Sequence, residues 1–421
     1  MRFILLSFLL IELSARSAAA QGAATTQGRV LSLTEARALA EQVSPEIAGA
    51  RAAVRAADGR TRQAGAFPDP VASYSREQTS GDGTRNTQDI IAFEQQLELG
   101  GQRGARRAAA GALRDAAEAR LNATRAQIGF DVARAYAQAV AADRRAALTK
   151  EAAQIFTEAG RVGRERLAAG DMSGYEHRRI RLEAARYAAL EAEAQMIRAN
   201  ARRALATLLS APNHDVDPGS LVLTDSLMPS RLPVPVDSLV TLALMRRPEV
   251  LALQREAGAA RAEARLARAE RIPTPSLGAG YKQERAPGGT SLGGFVAQIS
   301  VPLPVWDRRG GAVQAADAEV ERRQADNETL RRRTEREVRD AYESSQALAI
   351  QLEVLGERLD QDARTGLRAA QVAYGEGETS LVAWLDAVRA YQEAEATHVT
   401  LWAEYIGRRA ELERVTGATL F

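Results

Sequence analysis

The stretch YGEGETSLVAWLDAVRAYQEA, Tyr374 to Ala394, has a counterpart in the first half of the chain, LAAGDMSGYEHRRIRLEAARY, Leu167 to Tyr187. Gly170, Asp171 and Ser173 stand 207 positions before Gly377, Glu378 and Ser380. Glycine tolerates the positive φ that ends a helix, and a serine three residues later can cap the next one. Gly170 and Gly377 are therefore expected in helix-turn-helix tips, with Ser173 and Ser380 opening the returning helices. Writing that tip twice implies that one module has been used twice.

Other landmarks keep nearly the same offset. Pro45-Glu46 answers Pro248-Glu249 at 203 positions, Pro68 and Pro70 answer Pro273 and Pro275 at 205, and Arg103-Gly104 answers Arg309-Gly310 at 206. The helix endings RRALATLLSA from Arg202 and RRAELERVTG from Arg408 are also 206 apart. Such a period is far too long for a short-repeat solenoid. The expected organisation is a leader over residues 1–20, a first repeat over 21–235 and a second over 236–421.

Each repeat reads as helix, β-hairpin, very long helix, turn, helix. The stretches 104–168 and 311–375 hold 65 residues each, rich in Ala, Arg, Glu and Leu and free of proline. At 1.5 Å per residue they predict rods of roughly 100 Å. The returning helices, 173–211 and 379–417, are shorter at 39 residues each, and the entry helices 45–67 and 248–272 supply the missing 23 and 25. Two short helices stacked end to end can thus run beside each long one, with Ala-rich faces suited to close coiled-coil packing. The proline clusters, including Pro302 and Pro304, lie where helix must give way to strand, because proline ends the helical ladder and favours extended structure before it.

Between these helices the period changes to two. Strands are expected at about 71–79 and 88–97 in the first repeat, and at about 276–285 and 294–303 in the second. One face of the last three is largely apolar: Ile91, Phe93 and Leu97; Leu277, Ala279 and Tyr281; Phe295, Ala297, Ile299 and Val301. Val71 to Thr79 is the poorest, with Ala72 and Tyr74 on that face. A tilted strand of ~9–11 residues crosses a bilayer. Four strands cannot close a barrel, since the smallest use about eight, and open edges are not tolerated in lipid. Membrane strands here would require several copies of the chain to share one barrel. The competing reading is a soluble periplasmic coiled-coil protein, structural or adaptor-like, whose hairpins pack on its own helices.

The N-terminus, MRFILLSFLLIELSARSAAAQG, places Arg2 before an apolar run and ends in small residues, as a secretory signal cut near Ala20 does, although Glu12 interrupts the run. No later run approaches the ~18 apolar residues of a membrane helix. With no cysteine there are no disulfides, thiolate metal sites or lipidated cysteine. The chain of 421 residues is 45% apolar and 26% charged, so it can bury a core. A net charge of only +2 gives no global field for nucleic acid, and Arg331-Arg332-Arg333 reads as a solvated helix face.

The chain resembles the TolC-type outer-membrane efflux proteins over essentially its whole mature length. The resemblance rests on the entry helices SPEIAGARAAVRAA and RPEVLALQREAGAA, the junctions EQQLELGGQRGARR and ISVPLPVWDRRGG, and the tips AAGDMSGYE and YGEGETSLVAWLDA. It implies a mainly α fold with a membrane β-barrel, in which a homotrimer builds twelve strands and a periplasmic α-helical tunnel. It also implies a periplasmic adaptor and an inner-membrane transporter of the resistance-nodulation-division type as partners, outer-membrane lipid around the strands, and no cofactor. The junction ELGGQRGARR is most similar to the cobalt-zinc-cadmium branch, with drug efflux and protein secretion left open.

By the same resemblance, Asp386 matches an acid that lines the periplasmic entrance, where three copies would form a ring attracting cations. Read alone, it is an exposed helix residue. Ala383 stands where some members carry a second acid. Glu176 and Tyr374 match contacts that hold the entrance shut, while Thr379 replaces an Arg that pairs with the acid. Without that Arg, Glu176 must accept from Tyr374 or another donor, with His177, Arg178 and Arg179 all in range. Gly170, Asp171, Ser173, Gly377, Glu378 and Ser380 would form the tips and the adaptor-docking end.

No enzyme site is expected. His177, His214 and His398 are scattered without partners at ligand spacing. GGTSLGG lacks the lysine and following helix of a phosphate loop and reads as the outer turn of a hairpin.

Overall fold

The computed structural model describes residues 29–81, 84–211, 215–224, 232, 234–286 and 288–419. The expected leader, His214 and the centres of both hairpin loops (82–83 and 287) lie outside the described residues. In chain order the elements are β1 (Arg29–Leu31), α1 (Leu33–Val43), α2 (Pro45–Ala64), β2 (Val71–Gly81), β3 (Thr84–Gln96), α3 (Gln102–Ala169) and α4 (Gly174–Leu209). After a short 3₁₀ turn come β4 (Leu221–Leu223), α5 (Val236–Arg246), α6 (Pro248–Ala269), β5 (Ser276–Arg285), β6 (Ser291–Ser300), α7 (Gly310–Arg358), α8 (Arg364–Glu376) and α9 (Leu381–Thr416).

Two compact units form, and each interleaves distant parts of the sequence. One holds the described residues of 1–42, 132–229 and 352–403; the other holds those of 43–131, 230–351 and 404–421.

In the second of these units, α2 and α6 begin on Pro45 and Pro248, whose missing N–H costs nothing in a first turn. The Ser44 hydroxyl accepts from Ile47 N at 3.2 Å and caps α2. Arg247, buried before α6, reaches Thr334 at 2.9 Å and Glu337 at 2.8 Å. Leu239, Ala243, Val338, Ala341, Leu412 and Val415 pack into a shared core. The close approach at Gly417 (φ +65) is glycine-specific, because a Cβ there would collide with the Arg246 carbonyl.

The same unit carries one four-stranded antiparallel sheet in the order β2-β3-β5-β6. Its register sets Ile91 beside Tyr281 and Tyr281 beside Phe295, and Gln95 beside Leu277 and Leu277 beside Ile299. These residues share one face, which stays exposed; Phe295 is 93% accessible. Ser73, Gly278, Gly280, Lys282 and Glu284 occupy the other face, as strand alternation requires. Among the described residues, β2 and β6 each pair on one side only.

At the base of the sheet, the strand-to-helix crossing is held by main-chain acceptors. Gln95 donates to Pro68 O at 2.8 Å, Leu97 N to Pro275 O at 2.7 Å, and Gln102 to Ile272 O at 2.9 Å. The last strand stops at Ser300, so Val301 to Leu303 are not strand as expected. The proline at 302 removes a ladder donor and ends the pairing.

In the other unit, β1 and β4 pair in parallel, and the buried Tyr136 hydroxyl joins them, donating to Leu31 O at 2.9 Å and accepting from Thr224 N at 3.2 Å. The long helix of the first repeat is unbroken over its 68 residues. Its counterpart differs from expectation: a π turn at Leu359–Ala363 divides the second rod into α7 and α8. An extra residue in a turn shifts the side-chain register of the residues beyond it without ending the helix.

Candidate functional site: the two helix tips

Both tips are Schellman turns. Gly170 has φ +85, its N–H donates to Leu167 O at 3.2 Å, and Asp171 N donates to Arg166 O at 2.8 Å. Gly377 has φ +82, its N–H donates to Tyr374 O at 3.2 Å, and Glu378 N donates to Ala373 O at 2.8 Å. The paired bonds satisfy carbonyls that a helix end leaves open, and the positive φ is the reason glycine occupies each turn.

The serines then start the returning helices, but not identically. Ser173 accepts from Glu176 N at 3.1 Å while its own N–H donates to Glu176 Oε2 at 3.1 Å, a closed capping box. Ser380 accepts from Ala383 N at 3.3 Å, and Ala383 has no side chain with which to reciprocate. The bonds from the Ser173 main chain and hydroxyl hold the Glu176 carboxyl below the usual range. Glu176 thus takes its hydrogen bonds from Ser173 rather than from Tyr374, His177, Arg178 or Arg179. Arg178 instead donates to Gly174 O at 3.1 Å. Thr379 supplies only its main chain to the turn, with its N–H 3.3 Å from Ala373 O.

Tyr374 is placed by its ring. It stacks on Trp384 with centroids 5.0 Å apart and planes 5° apart; Trp384 meets Phe156 at 5.5 Å, and Phe156 stacks on Tyr187 at 4.7 Å. Burial pushes the Tyr374 and Tyr187 phenols up. This four-ring column, with Leu367, Leu385 and Val388, ties α3, α4, α8 and α9 together behind the tips. Spacing alone could not pair rings from four helices. The signal was only that Trp384 follows the second tip.

Asp386 lies on the exposed side of α9, 65% accessible, with Arg389 Nη1 3.9 Å from its Oδ1. Arg389 also bonds Glu183, whose side chain is 8% accessible. Sequence reading missed this pair. Further along α9, Arg364 reaches Glu395 at 3.1 Å, and on α3 Asp143 accepts from both Arg198 and Arg202 at 2.8 Å. These are clamps between helices. Among the described residues no cluster of three or more His, Asp or Glu could hold a metal, and no helix is long and apolar enough to cross a membrane.

Residues 36–211 and 239–418 match the family described as outer membrane efflux protein. The chain is 25% identical to the cobalt-zinc-cadmium resistance protein CzcC of Cupriavidus metallidurans, over 92% of this chain and 90% of that one. Its fold is similar to that of the outer membrane channel CmeC of Campylobacter jejuni, with a TM-score of 0.74 at 18% identity over 91% of this chain and 85% of that one. It is similar also to the outer membrane protein VceC of Vibrio cholerae, with a TM-score of 0.71 at 22% identity over 92% and 97%. The sequence match covers both repeats and the fold match covers sheet and helices alike, so the chain belongs to the outer membrane efflux protein family.

Proposed function

We propose that this chain is the exit duct of a tripartite efflux system, carrying metal cations or drugs from an inner-membrane pump and a periplasmic adaptor across the outer membrane. Three copies complete one twelve-stranded barrel, and their helices continue it as a periplasmic tunnel whose narrow end is built from the tips. The observation that carries the reading is the sheet: among the described residues it has four strands, two unpaired edges, and one exposed face bearing Ile91, Tyr281, Leu277, Phe295 and Ile299. An open sheet with a greasy outer face is stable in lipid only if neighbouring copies pair with its edges. Trp306, 96% accessible just past β6, fits an aromatic anchor at the membrane boundary.

Metal ions are the favoured cargo class because of the similarity to CzcC. Asp386 serves as the entrance acid in this reading. Glu176, Tyr374 and Thr379 lie at the latch, and Gly170, Asp171, Ser173, Gly377, Glu378 and Ser380 form the end that meets the adaptor. The test is extraction of the protein from outer-membrane fractions in detergent, followed by electrophoresis without heating and recording in planar bilayers. A heat-modifiable trimer with discrete conductance is expected. A freely soluble monomer released by osmotic shock would overturn the duct.

A further inference from the structure

The first tip brings together two donor atoms that take no part in the caps, although the Met172 side chain packs against the aromatic column. His177 is only 8% accessible, and its Nδ1 is buried without a hydrogen-bond partner. A buried polar atom left unpaired costs free energy and calls for an explanation. Beside it, His177 Nδ1 and the Met172 thioether sulfur close over Gly163 on α3: a Cβ built there would be crowded at 3.3 Å from each. Imidazole nitrogen and thioether sulfur therefore converge on the same bare stretch of helix, an approach that a side chain at 163 would obstruct.

The second tip lacks all three features. Counting 207 positions on, Gly163, Met172 and His177 become Ala370, Thr379 and Trp384. The glycine and both donors change together, although the turn and cap are retained. Packing accounts for the glycine beneath the two side chains, but it leaves the buried Nδ1 without a partner.

We propose that Met172 Sδ and His177 Nδ1 form a binding site for a soft monovalent d¹⁰ cation, Cu⁺ or Ag⁺. Thioether and imidazole are soft or borderline ligands that suit such ions. Neither donor brings a negative charge to offset a divalent ion. Glu176, the adjacent carboxylate, is committed to Ser173. The site lies at the tip that the exit-duct reading puts at the entrance, but cation binding does not depend on that reading.

The test is equilibrium dialysis of the purified full-length protein in detergent against Ag⁺, with bound silver measured by elemental analysis. One Ag⁺ per chain should be lost, or weakened at least tenfold, in Met172→Leu and His177→Gln. Gly163→Ala should weaken it similarly while leaving both donors in place. Met245→Leu, at an exposed methionine on another helix, should change nothing. Circular dichroism identifies any variant that fails to fold; Met172→Leu conserves volume and keeps the comparison available. Equal Ag⁺ binding in wild type and Met172→Leu, no binding by wild type, or displacement of Ag⁺ by equimolar Zn²⁺ would each overturn the site. Conductance in bilayers is recorded on the same samples, so loss of the duct and loss of the site are read separately.

Discussion

Arg389 on α9 bonds the buried carboxylate of Glu183 on α4 while its other terminal nitrogen lies 3.9 Å from Asp386. One guanidinium therefore serves a structural acid and the candidate gate acid. Removing it by Arg389→Ala leaves the poorly solvated Glu183 with only the longer contact to Arg186, whose Nη1 is 3.7 Å from its Oε2. The expected loss is roughly 1–3 kcal/mol, the range for a buried polar group left unpaired. Thermal unfolding should show the loss, and Glu183→Gln in the same background should recover part of it by removing the stranded charge.

If Asp386 is the entrance acid proposed above, Asp386→Ala should reduce cation selectivity and relieve block by multivalent cations in single-channel recordings, because each copy would lose a carboxylate there. The Arg389 contact makes a second result informative: Arg389→Gln should strengthen cation selectivity by removing the neutralising charge. If both variants conduct as wild type does, Asp386 has no part in the gate.

The Tyr374 ring and hydroxyl can be separated. Among the described residues the hydroxyl makes no hydrogen bond, whereas the ring lies flat on Trp384. Tyr374→Phe should therefore retain a low resting conductance and normal stability. Tyr374→Ala should raise resting conductance and cost about 3 kcal/mol or somewhat more, as for a large aromatic truncated against other rings. A Phe variant that opens the pore would instead assign the latch to the phenol, through a neighbouring copy.

The range of each interaction decides how much of the fold and of the tips was legible in advance. The turns at Gly170 and Gly377 and the caps at Ser173 and Ser380 are local, so composition and spacing exposed them. The strand faces could be read from alternation once Ile91, Tyr281 and Phe295 stood two apart from their apolar neighbours. Arg389–Glu183 and the Tyr374–Trp384–Phe156–Tyr187 column could not be read, because each joins helices whose rotation about their axes is set by packing. The β1–β4 pair was missed for a related reason: strands of three residues carry no periodic signal, and their partners are about 190 positions apart. The Ser32–Glu35 capping box that opens α1, in which the Ser32 hydroxyl accepts from Glu35 N at 3.2 Å, was missed although its Ser-x-x-Glu spacing is a local signal.

The two caps should respond differently to acid. Glu176 has its folded-state pKa lowered by the Ser173 bonds, so its contribution is present above the ordinary carboxylate value and is lost as pH falls through the lowered one. Ala383 has no such group. On acidification, amide protection at Ser173 and Glu176, taken against the intrinsic exchange rate at each pH, should fall more than at Ser380 and Ala383. Ser173→Ala, at about 1 kcal/mol, should remove the difference. Equal acid sensitivity at both tips would mean that the capping box does not persist in solution.

Phe295 offers the sharpest test of membrane placement. It lies on the apolar face with Tyr281 and Ile91, whereas Gln298 lies on the opposite face. If the first face meets lipid, Phe295→Arg puts a charge into hydrocarbon in each of three copies, at up to about 2–4 kcal/mol per charge depending on depth. Gln298→Arg would put the same charge into the aqueous lumen at little cost. The yield of heat-modifiable trimer in outer-membrane fractions should fall steeply for Phe295→Arg and stay near wild type for Gln298→Arg. The reverse ranking would turn the sheet inside out. Equal yields would mean that neither face touches lipid, and the unpaired edges of β2 and β6 would then need a partner other than a sister strand.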